Sequence, residues 1–324
     1  MMFRRDVYGH ERQKEQLGAA ITNGRLAHAY LFHGRDGIGK KGVAKAFAAA
    51  VLCGKGRPEA CDACLSCKKV KSGNHPDLIT VKPDGAFIKM QAVRELIGIM
   101  AFRPIEGGRR LFLIDDADRL HPAAANALLK TLEEPAAANI IILITAKPYL
   151  LPRTIISRCQ QLRFRPLRRE TVARFLEEQA GLEATVARAL AASAEGSIAR
   201  ALQLQQEDYL ADREGILTRL ASGHAGAPLP RLALFRYLGK SKKEIHDKLT
   251  LMQSCFRDAL VWKELRDQGM LVHGDHLDQV HGIARLTTDD LLFNLDVIAA
   301  SLRALEANAN KLLTLEAMTF TLRL

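Results

Sequence analysis

Short unbroken apolar runs alternate with polar and glycine-rich segments through the first half of the chain. Ala29-Tyr30-Leu31-Phe32-His33, Leu78-Ile79-Thr80-Val81, Leu111-Phe112-Leu113-Ile114 and residues 140–144 read as strands. Leu162-Arg163-Phe164 reads as a last, short one. Between them, residues 43–51 are alanine-rich and favour helix, and Met90, Val93, Ile97 and Met100 recur at helical spacing. Residues 121–134 predict a helix that Pro135 stops. Continuous apolar strands separated by helices predict a parallel sheet covered on both faces. After about Pro166 the strand signals vanish, and Val172, Phe175 and Leu176 begin a run of helices. Leu249, Met252, Phe256 and Leu260 mark one face of another. Residues 221–230, rich in Gly, Ala and Pro, read as a linker. The pattern predicts an α/β domain over 1–166, a small helical domain over 167–220 and a helical C-terminal domain over 221–324.

Composition adds limits. The 324 residues suffice for two or three cores, and 48% are hydrophobic, ordinary for a soluble protein. No apolar run approaches a membrane span, and the N-terminal residues lack the apolar core of a secretion signal. The expected location is the cytoplasm, with no membrane partner. Lys and Arg number 47 against 36 acids, a net charge of +11. That excess suits a nucleic-acid partner, and suits equally a soluble surface rich in arginine.

Two motifs carry chemistry. Gly34-Arg35-Asp36-Gly37-Ile38-Gly39-Lys40-Lys41 follows a predicted strand and opens a predicted helix, the context of a phosphate loop. Gly34, Gly37 and Gly39 let backbone N–H groups curl around phosphate, and Lys40 would reach the β- and γ-phosphates of ATP or ADP. Position 41 departs from the pattern. A Ser or Thr hydroxyl there would hold Mg²⁺, and the Lys41 ammonium cannot. Strand 111–114 ends in Asp115, placed to touch Mg²⁺, and Asp116, where motor proteins of this class carry Glu. Aspartate is one methylene shorter, and catalytic geometry is sensitive to about 1 Å. The second motif is Cys53-x7-Cys61-x2-Cys64-x2-Cys67. Four thiolates at such spacing suit a closed, structural zinc site; an iron–sulfur cluster uses similar sets. Cys159 and Cys255 stand alone and read as small buried apolar groups.

The order phosphate loop, four-cysteine insert, acidic strand end, Ser157-Arg158-Cys159 resembles the bacterial clamp loader of DNA polymerase III, a branch of the AAA+ proteins. Arg25 to Phe32 (RLAHAYLF), Asn126 to Pro135 (NALLKTLEEP) and Ile155-Ile156-Ser157-Arg158-Cys159 carry the likeness. The resemblance is dense from about 7 to 166. It implies an AAA+ domain with a zinc insert, a helical lid and an all-α collar. Two subunit types carry this domain: the ATP-hydrolysing gamma/tau motor and the largely rigid delta-prime. His75-Pro76-Asp77-Leu78, the segment Ile88 to Ile97 and the short chain favour the delta-prime type. So do the altered Lys41 and Asp116, and Ala146 and Ala199 at the two sensor positions of the motor. The resemblance implies that Arg158 reaches in trans into a neighbouring motor subunit's ATP, as arginine fingers do. Implied partners are the gamma/tau and delta subunits and, through the complex, the sliding clamp and primer–template DNA. Little or no ATPase is expected of the isolated chain.

Overall fold

The computed structural model describes residues 7–56, 58–106, 108–206, 208–222 and 228–324. Its contacts gather into two compact units, one comprising 1–187 with 194–201 and the other 188–193 with 202–324.

The first unit is built on five parallel strands: β1 (Ala29–His33), β2 (Leu78–Val81), β3 (Arg110–Ile114), β4 (Asn139–Thr145) and β5 (Gln160–Arg163). They lie in the order β2-β3-β4-β1-β5. The intervening helices are α1 (Glu11–Thr22), α2 (Lys40–Val51), α3 (Leu65–Ser72), α4 (Met90–Met100), α5 (Pro122–Glu133) and α6 (Arg153–Ile156). Strand side chains alternate between the faces, so β1 to β4 feed two cores, while the edge strand β5 buries only Leu162. Tyr30, Phe32, Leu111, Leu113, Ile140 and Leu162 join Leu17 of α1 and Val43 and Phe47 of α2. Leu31, Phe112, Ile114, Ile141 and Leu143 join Leu96 of α4, Leu128 of α5 and Ile155 of α6. Both faces are covered, which explains why the strands read as unbroken apolar runs.

The expected strands are all present: β1 and β2 have the expected bounds, and ends of the other three shift by one or two residues. The helix expected over 121–134 runs from Pro122 to Glu133, with His121 as its cap: Ala123 N–H donates to His121 Nδ1 at 3.3 Å. α1 and α3 were not legible in the sequence, since neither carries a strong apolar stripe: α1 buries Leu17 and Gly18, α3 Cys67 and Val70.

The His75-Pro76-Asp77-Leu78 segment has a structural role. The Asp77 carboxylate, fully buried, accepts from the N–H groups of Ile105 and Glu106, both at 2.8 Å, and from Arg110 Nε at 3.0 Å. Arg110 also donates to the carbonyls of Ile99, Phe102 and Arg103. Buried charges persist when paired and fully hydrogen-bonded, as these are. His75 bonds Ser66 Oγ of α3 at 2.8 Å, and Ser66 donates to Leu52 O at 2.6 Å. The segment thus ties the cysteine insert to the sheet.

Every described residue beyond β5 that takes regular structure is helical: α7 (Arg169–Ala180), α8 (Ala184–Ser193), α9 (Ile198–Gln206), α10 (Tyr209–Ala221), α11 (Pro228–Tyr237), α12 (Lys242–Leu265), α13 (Leu277–Ile283), α14 (Thr288–Glu306) and α15 (Lys311–Thr321). The core of the second unit packs Leu217 of α10, Leu238 just after α11, Met252 and Phe256 of α12, Ile298 of α14 and Leu315 of α15. Residues 223–227 of the expected linker lie outside the described residues, and its last three already begin α11.

Candidate functional site

The phosphate loop leaves the carboxyl end of β1 and enters α2. Ligands of open α/β sheets bind at this edge. The loop's glycines are required by close packing. A Cβ on Gly34 (φ 152°) would lie 2.3 Å from the Phe164 carbonyl oxygen, and one on Gly37 (φ 71°) 2.3 Å from Ser197 Oγ. Gly39 caps α2 in the left-handed region at φ 100°. Lys40 is buried and donates from Nζ to Gly34 O at 2.8 Å and Arg35 O at 2.6 Å. Burial lowers its pKa, against the pull of Asp36, Asp115, Asp116 and Asp118.

The acidic pair sits across from the loop at the end of β3. Lys41 Nζ lies 2.7 Å from Asp115 Oδ2. The ammonium therefore neutralises the carboxylate that the sequence assigned to magnesium. Asp116 takes left-handed backbone at φ 49°, and burial, then Asp115, Asp118 and Asp36, raise its pKa. The crowding of carboxylates around Asp116 raises its affinity for a proton, and its side chain is one methylene shorter than the glutamate of motor proteins. Thr145, at the end of β4, donates to Asp118 Oδ1 at 2.5 Å. Gly34, Gly37, Gly39, Lys40, Lys41, Asp115 and Asp116 thus form one constellation.

Two neighbours complete it, of which His10 carried no sequence signal. His10 Nε2 bonds Ile38 O at 2.7 Å, and its ring meets Phe164 edge-on at 4.9 Å. Burial lowers the His10 pKa, favouring the neutral ring. Residues 195–199 also close on the loop: Ala199 N–H donates to Gly37 O at 3.1 Å, and Arg35 Nη2 lies 2.5 Å from Glu195 Oε2. No local pattern could announce contacts spanning some 160 positions.

Arg158 stands apart from that constellation, in the turn between α6 and β5. Its Nη1 donates to Thr154 O at 2.9 Å and its Nη2 to Glu133 Oε1 at 2.6 Å, with a third of the side chain exposed. Glu133, the last residue of α5, holds the guanidinium through that contact.

The cysteines converge. The Sγ atoms of Cys53, Cys61, Cys64 and Cys67 all lie within 4.8 Å of one another, and none is in a disulfide. Cys64 caps α3: its Sγ accepts from Cys67 N–H at 3.4 Å, while Cys61 Sγ accepts from Cys64 N–H at 3.3 Å. These backbone donors lower the thiol pKa, to about 6 at Cys64, while burial pushes Cys67 up to about 12. Thiols of such different acidity become thiolates together beside a cation, and four convergent sulfurs fit a tetrahedral metal. The group can hold a metal ion. Cys159 and Cys255 are buried, far from such chemistry, with burial raising both thiols, Cys159 to about 12.

A family model described as DNA polymerase III, delta subunit, matches residues 9–168. The delta-prime subunit of DNA polymerase III from Bacillus subtilis is 33% identical over 307 residues, covering 92% of this chain and 92% of that protein. The chain belongs to the DNA polymerase III delta-prime family. Identity alone would not separate it from the tau/gamma subunits. That of Haemophilus influenzae is 35% identical, but over 64% of this chain and 31% of that protein. The delta-prime match extends over 92% of this chain, against 64% for the tau/gamma match. Among solved structures, a gamma-subunit-related protein from Thermotoga maritima is 20% identical, covers 95% of this chain and 98% of its own, and has a TM-score of 0.46. The delta-prime membership accords with the clamp-loader resemblance read from the sequence, and with a P-loop sheet domain followed by helices. No helix among the described residues is long and apolar enough to cross a membrane.

Proposed function

We propose that this delta-prime-family chain works in the clamp loader as a stator, a subunit that supports its neighbours' ATP hydrolysis without turning over ATP itself. The observation that carries this is the Lys41–Asp115 ion pair at 2.7 Å, which puts a fixed cation where a motor would bind Mg²⁺. The loop remains shaped for phosphate, so ATP or ADP can bind. Hydrolysis needs a metal and a base, and Lys41 and Asp116 weaken both.

Arg158 is the group offered outward, in trans to the ATP of a gamma/tau neighbour. Its planar fork keeps its charge and matches phosphate oxygens. The Glu133 contact holds the side chain extended until that neighbour docks. The four cysteines hold zinc in a structural site, since four thiolates leave no position open for substrate. The domain division we propose is an AAA+ domain over 1–166, a lid over 167–220 and a collar over 221–324 that joins the gamma/tau and delta subunits. Acting through that complex, the chain serves to load the sliding clamp onto primed DNA.

Turnover separates this from a motor reading, which the intact Lys40 and the similarity to tau/gamma would favour. The purified chain should hydrolyse ATP at a rate close to background. Robust magnesium-dependent turnover, abolished by Lys40→Ala, would establish the motor instead. In a reconstituted complex, Arg158→Ala should preserve assembly and cut ATPase at the adjoining site by about 10³. Unchanged ATPase would remove the finger.

A further inference from the structure

A cleft of about 780 Å³ opens between α1, β5 and the start of α7, and no phosphate-loop residue lines it. Arg12, Arg163, Arg165, Arg168 and Arg174 all do, and all are exposed. Among the described residues none of the five forms an ion pair; Arg174 lies over the Tyr8 ring at 5.4 Å. The one acid in the lining, Glu11, is engaged by Lys14 at 3.1 Å.

Five uncompensated guanidiniums around one concavity repel one another and focus positive potential into it. Leu162 and Phe164 are buried while Arg163, the last residue of β5, and Arg165, two places beyond it, are exposed, and an extended chain sets such positions about 6.6 Å apart. Such a row matches a chain of phosphates, and the guanidinium fork binds each one bidentately. The lining offers no free aromatic ring on which a base could stack, because the His10 ring is engaged by Ile38 and Phe164. Its leucines, Leu162 and Leu167, are buried and Pro166 is its one exposed apolar side chain, which disfavours a lipid surface. The cleft is too small to enclose a duplex. We propose that it holds the phosphate backbone of single-stranded DNA, without reading its sequence. This rests on the reading that the chain acts at DNA, and adds the surface by which it does so.

The test is fluorescence anisotropy of a labelled oligothymidylate with the full chain across a salt series. The R163Q/R165Q variant should bind on the order of tenfold more weakly, with its salt slope reduced by about 1.4, two phosphates at the single-strand value. R12Q/R168Q, on the other wall, should behave alike. K68Q/K71Q removes the same charge from exposed positions on α3 and should bind as wild type. Circular dichroism melts confirm that each variant is folded. The proposal is overturned if wild type does not bind, if R163Q/R165Q binds equally well, or if K68Q/K71Q loses as much. Tighter binding of a duplex through the same arginines would overturn the single-strand assignment. Loss of the cleft proposal would leave an Arg158-dependent ATPase of the complex untouched, so the two readings fail separately.

Discussion

Lys41 and Asp115 face each other at 2.7 Å, so the metal position of the phosphate loop is contested by a side chain. Replacing Lys41 by Thr removes the ammonium and supplies a hydroxyl. Nucleotide affinity should then become magnesium-dependent, with a gain on the order of tenfold, about 1.4 kcal/mol. Calorimetry with and without EDTA measures this; equal affinities in both conditions would show that Lys41 has no such role. Turnover should stay low, because Asp116 keeps its short side chain. Glu133 invites a different experiment. Its pair with Arg158 is partly exposed, and such pairs contribute about 0–1 kcal/mol. Glu133→Ala should leave the urea midpoint nearly unchanged while altering the ATPase of the assembled complex. A large loss of stability would recast the pair as structural.

Between elements, the decisive contacts are buried and polar. Asp77, fully buried, joins the start of β2 to Arg110 of β3 and to the loop after α4. Asp77→Ala leaves Arg110 charged and without its carboxylate, and should cost about 3–5 kcal/mol in denaturant unfolding. A cost below 1 kcal/mol would contradict this account. In the helical second unit, Asp258 of α12 accepts from the N–H groups of Val272 and His273 at 2.8 and 2.6 Å. Burial first, then Arg213, lowers the His273 pKa to about 3. The folded state therefore disfavours the protonated ring. Between about 6.5, the ordinary value, and 3 the unfolded chain binds the extra proton, so stability falls as pH falls, by up to about 1.4 kcal/mol per pH unit. Asp258, whose pKa burial raises, titrates with the opposite sign and offsets part of this. Unfolding free energies between pH 7 and 4, for wild type and His273→Gln, should show the shallower slope in the variant; equal slopes would exclude His273 as the source.

Across the whole molecule, the metal module tests how binding is coupled to folding. The insert buries only Cys53, Cys67 and Val70 among its apolar and thiol groups, so a metal would supply much of its order. Cys64→Ser or a strong chelator should lower the melting temperature by about 5–10 °C, equivalent to a few kcal/mol. Elemental analysis of fresh protein reads the metal directly, and absence of zinc there would refute the zinc assignment. The parallel sheet, the phosphate loop, the convergent cysteines and the helical second half were all legible in sequence. Each is written in local periodicity or in motif spacing, and covering both faces of a sheet makes its strands unmistakably apolar. What sequence alone left undetermined depends on contacts between distant positions. Only folding brings Lys41 onto Asp115, Glu133 onto Arg158, His10 and residues 195–199 onto the phosphate loop, and Asp77 into a buried ion pair. The same holds for the five arginines of the cleft: the excess charge was countable from composition, but α1, β5 and α7 must pack together before it becomes a site. Local spacing encodes which elements form. Which charges meet depends on how the sheet and helices pack, because electrostatic and hydrogen-bond energies depend on distances that only the tertiary fold sets.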